Sequence, residues 1–329
     1  MQLKHKTYLV VIVLFLIIIR AFAQTSSETT VAILVFDRVQ IIDFTGPWET
    51  FGQAGYRVFT VSESKDTVKT RMGMNLIPDY KLDEAPDAHI LVIPGGGIPH
   101  NLNPDHPIIN WLKEKEKSSK YILTVCNGAF VLGPSGFSDG LSMTTNAGMI
   151  NHLTHFVKGA VAVYDQRFVH DGKFISAGGL TAGIDASLYL ISLIDSKGRA
   201  QEVANNMEYH WDTTNNYVRT KLADFELSMA LDFNPPLRKK VLKYEGDENK
   251  WLADFLVTRT ETLEDFAKQL EEAAEHQRWK LNSEARKKSK IHYEWTYNNH
   301  RSEKWKLNAV FSTTEINSEY RLTINLERI

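Results

Sequence analysis

The chain has 329 residues, 43% of them apolar and 24% charged, with a formal net charge of −2 and a single Cys. That apolar content excludes a disordered chain, and the length allows two hydrophobic cores. Near-neutral charge gives no electrostatic footprint for nucleic acid, and one Cys excludes both an internal disulfide framework and a Cys-rich metal or iron–sulfur site.

The first two dozen residues read as a leader. Lys4 and Lys6 precede an apolar run over residues 8–19, and Arg20 is followed by Ala21-Phe22-Ala23-Gln24, the small-x-small pattern of a signal peptidase site. The run falls short of the ~20 apolar residues that span a bilayer. The expectation is therefore a signal peptide over residues 1–23, cleaved after Ala23, rather than a lasting anchor. Cleavage removes three basic residues (Lys4, Lys6 and Arg20) and no acid. The mature protein is then more acidic, exported to the periplasm or the medium, and without a stable membrane span. An unpaired thiol in an oxidising compartment is either buried and inert or kept for its chemistry.

From residue 31 the pattern alternates. Residues 31–36 form a short continuous apolar run, as in a strand covered on both faces. A helix over 48–54 and a strand over 56–62 follow. Residues 89–93 are a second buried run, ended by Pro94-Gly95-Gly96-Gly97, and residues 107–117 read as a helix with Ile108, Trp111 and Leu112 on one side. Residues 121–125 are a third such strand, with Cys126 at its end. Strands alternating with helices imply a parallel sheet with helices on both faces. Segments 161–164 and 173–176 predict a hairpin around Asp171-Gly172. A nearly all-apolar helix over 181–194 and another over 199–211 close this α/β domain, bounded at 24–212.

The composition then changes. Residues 213–240 read as a linker, polar at 213–216 and broken by Pro235-Pro236. Residues 241–329 predict a small α+β domain. A charge-rich helix lies over 261–290, with Leu263, Phe266, Leu270, Ala274 and Leu281 at helical spacing. Three alternating strands follow, with Ile291, Tyr293 and Trp295, then Trp305, Leu307 and Phe311, then Leu322, Ile324 and Leu326 on one face each. Trp279, Trp295 and Trp305 belong to the core of this unit.

Three segments can carry chemistry. Cys126 sits where an apolar strand gives way to small residues and a helix, in Val125-Cys126-Asn127-Gly128-Ala129. Such a turn projects the side chain from the sheet, and the helix N-terminus that follows favours a thiolate. A buried, inert Cys fits the same pattern. The Gly95-Gly96-Gly97 loop ends a neighbouring strand, where glycines let backbone N–H groups approach a ligand; it lacks the spacing of a dinucleotide fingerprint. Asp43, between Ile42 and Phe44, would have a raised pKa if buried and could exchange a proton with a thiol. Glu49 is a second candidate for that task, and a helix cap is the plain alternative for Asp43.

Together these segments resemble the ThiJ/PfpI family of the class I glutamine amidotransferase-like superfamily. The matching stretches are residues 31–36 with Asp43-Phe44-Thr45-Gly46-Pro47-Trp48-Glu49, Leu91-Val92-Ile93-Pro94-Gly95-Gly96-Gly97, the Cys126 elbow, residues 136–145 and residues 176–185. Within the family the sequence is nearest to isonitrile hydratases and to the sensor halves of AraC-type regulators. The resemblance implies a flavodoxin-like sandwich, a homodimer, Cys126 as nucleophile, Asp43 as its acid, and an oxyanion hole from Gly96 or Gly97 with Asn127, beside Gly128. In isonitrile hydratases the Cys attacks the terminal carbon and water releases an N-substituted formamide.

Two departures stand out. Many relatives carry a His after the Thr-Thr pair, where this chain has Asn146, so the Cys–His pair of a peptidase or amidase is missing. The Thr beside the Cys in the hydratases is replaced by Asn127. His100 and His106 flank the glycine loop and are candidates to line the pocket. His152 and His155 lack an accompanying carboxylate motif, so no metal site is assigned, and no cofactor is expected. Arg286-Lys287-Lys288 reads as a solvated helix end. The function expected is cysteine-dependent hydration or lyase chemistry on a small electrophile; the alternative is a non-catalytic ligand-binding or redox-sensing module. An AraC-type DNA-binding role is disfavoured by the leader and by the absence of a helix-turn-helix pattern.

Overall fold

The computed structural model describes residues 28–99, 101–214, 217–230, 239–299 and 301–329. The leader, His100 and the Pro235-Pro236 pair lie outside the described residues.

The first unit has a seven-stranded sheet. Its strands are β1 (Thr30–Leu34), β2 (Arg57–Ser62), β3 (Tyr80–Lys81), β4 (Ile90–Ile93), β5 (Tyr121–Val125), β6 (Phe168–Asp171) and β7 (Phe174–Ala177), in the spatial order β6-β7-β5-β4-β1-β2-β3. All neighbours are parallel except the β6–β7 hairpin. Helices α1 (Ile41–Gln53), α2 (Pro107–Lys115), α3 (Thr181–Ile194) and α4 (Lys197–Asn206) cover the faces. The central strands are buried throughout, which is why they read as unbroken apolar runs rather than alternating ones.

Three local expectations need correction. The first helix starts at Ile41, not near Trp48, and carries Pro47 inside it. Proline is disfavoured inside a helix, and this one accommodates it. Asp43 therefore sits in the first helical turn and is not the cap, which is Gln40. The hairpin at Gly172 is real, with φ of +61° at the turn, but its first strand is β6. Residues 161–162 pair instead with Ser142–Met143, in parallel. A two-residue turn must be flanked directly by its strands, and residues 161–164 lie too far upstream.

Helix α5 (Asp224–Ala230) lies in the stretch read as a linker. Phe225 packs into the first core, while Ala223 and Leu227 pack into the second. The second unit is an antiparallel sheet of six strands rather than three: β8 (Lys239–Gly246), β9 (Lys250–Thr258), β10 (Lys280–Lys287), β11 (Lys290–Asn298), β12 (Lys304–Thr313) and β13 (Glu319–Arg328), in the order β8-β9-β13-β12-β11-β10. One helix, α6 (Leu263–His276), packs on its apolar face. The helix expected over 261–290 thus ends early, and Arg286 and Lys287 lie on an edge strand instead of a helix end. Both edge strands are exposed almost throughout, so no apolar period marked them. Trp279, Trp295 and Trp305 are buried in the core, as expected. No helix among the described residues is long and apolar enough to cross a membrane.

Candidate active site

The carboxyl ends of β4, β5 and β7 converge on Cys126. The chain leaves β5 and turns at once into a short 3-10 helix over Cys126–Val131, with Cys126 at φ of +59°. That left-handed conformation costs a residue with a Cβ about 1–3 kcal/mol, and it is what turns the side chain out of the sheet. The Cys126 peptide is held on both sides: its N–H donates to the Gly178 carbonyl at 2.8 Å, and its carbonyl accepts from Thr145 Oγ1 at 2.7 Å. Gly128 makes the tight turn possible, since a Cβ there would lie 2.1 Å from the Ile93 carbonyl oxygen. This packing accounts for the glycine, which was expected beside the oxyanion donors.

Asp43 faces the elbow from α1 and is fully buried. Its Oδ1 accepts from the Leu180 N–H at 3.0 Å, while Oδ2 is buried without a hydrogen bond of ordinary geometry. A Cβ on Gly95 would stand 2.3 Å from Asn127 Oδ1, 2.8 Å from Cys126 Cβ and 2.9 Å from Asp43 Oδ2. Those three side chains therefore converge on the one glycine that leaves them room. Burial lifts the Asp43 carboxyl to about 6, against the pull of the Leu180 N–H, the thiol and Gly95. Burial also pushes the Cys126 thiol up to about 12, and the Asp43 charge adds to it; the Asn127 N–H and the Asn146 amide oppose the shift. The helix N-terminus loses this contest. Burial raises both groups, and so opposes a standing thiolate at Cys126.

Asn146 joins the site. Its Nδ2 donates to Cys126 Sγ at 3.2 Å, so the residue at the family's His position still touches sulfur, as a donor that cannot accept the proton. The glycine loop behaves differently from expectation. The Gly96 N–H donates to Asn127 Oδ1 at 2.8 Å, Asn127 Nδ2 donates back to the Gly96 carbonyl at 2.9 Å, and the Gly97 N–H donates to the Arg38 carbonyl at 2.9 Å. Neither glycine N–H is free to serve an oxyanion. Asn127 contributes its side chain as a clamp on the loop and its N–H to the thiol.

Glu49 is exposed and accepts from Gln53, because six residues along a helix turn it away from Asp43. His106 is buried as the cap of α2, accepting from the Ile108 N–H, and does not line the pocket. Sequence reasoning named Gly95 only as part of the glycine loop, and it gave no role to Gly179 or Leu180. Gly179 abuts Sγ, and Leu180, at φ of +59°, brings its N–H onto Asp43. The Gly178-Gly179 pair was the available signal.

Two cavities flank the elbow. One, of about 320 Å³, is lined by Gly96, Asn127, Phe130, Met149 and Phe156 among mainly apolar neighbours, and the rings of Phe130 and Phe156 stack 4.8 Å apart. The other, of about 60 Å³, lies against Thr145, Arg167 and Gly179.

Fold and site define a parallel α/β protein whose strand-end cysteine is paired with a buried acid. The chain belongs to the DJ-1/PfpI family, whose model matches residues 29–193. Isonitrile hydratase from Pseudomonas putida is 30% identical over 180 residues, 54% of this chain and 78% of that protein. Protein/nucleic acid deglycase 2 from Escherichia coli K12 is 29% identical over 146 residues, 43% of this chain and 83% of that protein. Among solved structures, a ThiJ/PfpI family protein from Pseudomonas syringae aligns with a TM-score of 0.52 at 27% identity, covering 56% of this chain and 77% of that one.

Proposed function

We propose that the α/β domain hydrates a small electrophile of the isonitrile class, with Cys126 as nucleophile and Asp43 as the group that carries the proton. The observation behind this reading is the fully buried Asp43 carboxyl that meets Cys126 at Gly95, with the loop N–H groups of Gly96 and Gly97 already engaged. Acyl transfer needs preorganised donors on a developing oxyanion. Addition of a thiol to an isonitrile carbon develops no oxyanion, which arises only in the later hydrolysis of the adduct.

As sulfur bonds to the terminal carbon, its proton passes to the Asp43 carboxylate and from there to that same carbon, giving a thioimidate, R–N=CH–S–Cys126. Water then adds to the C=N carbon, with Asp43 taking one of its protons and nitrogen gaining one. Collapse breaks the C–S bond, releases R–NH–CHO and returns the proton to sulfur. The larger cavity, rich in Phe, Met and Pro, suits an apolar R group.

The peptidase or amidase reading is disfavoured by Asn146 in place of a His base and by the engaged loop donors. Redox sensing is less favoured because the thiolate is the species that oxidises, and burial here opposes thiolate formation. Export, carried by the leader, and a homodimer, common in this family, complete the proposal. Light scattering tests the dimer. For the chemistry, purified protein is incubated with an alkyl isonitrile and N-alkylformamide is followed by NMR. Formation by wild type and not by Cys126→Ala is expected; equal rates would reject the Cys126 assignment.

A further inference from the structure

The smaller cavity is walled in part by residues from beyond the family match. Tyr217, Val218, Arg219 and Thr220 line it opposite Thr145 and Gly179. Two groups on Cys126 sulfur belong to that side: Gly179 lines the cavity, and Asn146 stands between Thr145 and Ala147, which line it too. This short segment is pinned in both directions. Toward the α/β domain, Thr220 Oγ1 donates to the Tyr164 carbonyl, and the Arg167 guanidinium lies 5.9 Å from the Tyr217 ring centroid. Toward the C-terminal unit, Arg219 pairs with Asp224, which also accepts from Tyr244 Oη on β8 at 3.1 Å, and the Ala223 N–H donates to the Asp247 carbonyl at 2.9 Å.

We propose that residues Tyr217–Thr220 are a strap that closes one of two approaches to Cys126 and limits the size of electrophile that reaches it, with the C-terminal unit holding the strap in place. Its basis is the contrast in volume, about 60 Å³ under the strap against about 320 Å³ on the Asn127 side. The smaller space takes a few waters and no bulky substituent. Opening it gives the thiol a second, wider route. The inference rests on Cys126 being the reactive group, and does not depend on isonitrile chemistry.

The test uses the lone Cys. Alkylation of the full chain by N-methylmaleimide and by N-pyrenylmaleimide is timed by mass spectrometry at pH 9, for wild type, Tyr217→Gly and Thr220→Val. Taking the variant-to-wild-type ratio for each reagent removes their intrinsic difference in reactivity. Tyr217→Gly is expected to speed the pyrenyl reagent about tenfold and the methyl reagent less than about twofold, the scale of a pocket-wall change. Thr220→Val, which keeps the side-chain shape and loses only the hydroxyl contact, is expected to move the same ratio in the same direction by a smaller factor. Equal acceleration of both reagents, or none in either variant, overturns the strap. Loss of isonitrile hydration with the size selectivity intact would reject the proposed reaction and leave the strap standing.

Discussion

The two sheets of this chain bury similar apolar residues and place their polar ones differently. In the parallel sheet every strand of the central set ends on the same side, so Cys126, Asp43, Gly95, Asn146 and Leu180 meet at one point although they come from five separate segments. The antiparallel sheet sends successive strands in opposite directions, and its alternation sorts residues by face: Tyr293, Trp295, Leu307 and Phe311 inward, charged neighbours outward. The lesson concerns where strain is tolerated. Both non-glycine left-handed residues next to the thiol, Cys126 and Leu180, lie at the ends of the first sheet, and a buried carboxylate lies between them. In the second unit the left-handed residues Arg278, Ser302 and Ser318 are turn residues outside the core.

That contrast can be broken by mutation. Cys126→Ala should lower isonitrile turnover at least about 10³-fold while leaving thermal stability within about 0.5 kcal/mol, because the strained turn keeps its Cβ. Trp305→Ala should cost about 3–5 kcal/mol of stability through the cavity it leaves. In calorimetry that loss should fall on one transition, and a single transition moving as a whole would show that α5 fuses the two cores.

Asp43→Asn separates stability from activity. A carboxyl raised to about 6 in the folded chain binds its proton more tightly there than when unfolded. Its contribution to stability is full below about pH 4, lost as pH rises to about 6, and unchanged above that. Asp43→Asn should therefore be more stable than wild type by on the order of 2–3 kcal/mol at pH 7.5 and equal to it near pH 3.5, while turnover falls about 10²-fold. Chemical denaturation at the two pH values checks the first part; no pH dependence in the difference would refute buried ionisation. The smallest effect is expected of Asn146→Ala. It removes a hydrogen bond that favours the thiolate, so maleimide labelling at pH 9 should slow about three- to tenfold.

Much of this arrangement was legible before the structure. The buried parallel strands showed as apolar runs, and the elbow showed as an apolar strand met by Cys126, Asn127 and Gly128. Asp43 was visible as an acid between apolar neighbours, although the helix that carries it was expected to start only at Trp48. The oxyanion role of Gly96 and Gly97 was misread because a glycine loop looks the same whether its N–H groups are free or taken, and here Asn127 and the Arg38 carbonyl take them. Strands β8 and β10 escaped because edge strands exposed on both faces have no apolar period to read. The sign of the thiol's shift was equally hidden. A helix N-terminus is local and can be seen in a sequence, whereas burial and an acid from a distant segment are tertiary.

The most direct test of the Cys126–Asp43 pair is a titration of thiol reactivity. Iodoacetamide labelling of Cys126 is followed from pH 6 to 11 in wild type and in Asp43→Asn. The wild-type rate should climb across the whole range without a plateau, as expected for a thiol held near 12, and removing the Asp43 charge should shift the curve to lower pH. A wild-type plateau below pH 8, unmoved by Asp43→Asn, would mean a standing thiolate independent of its acid and would contradict the account.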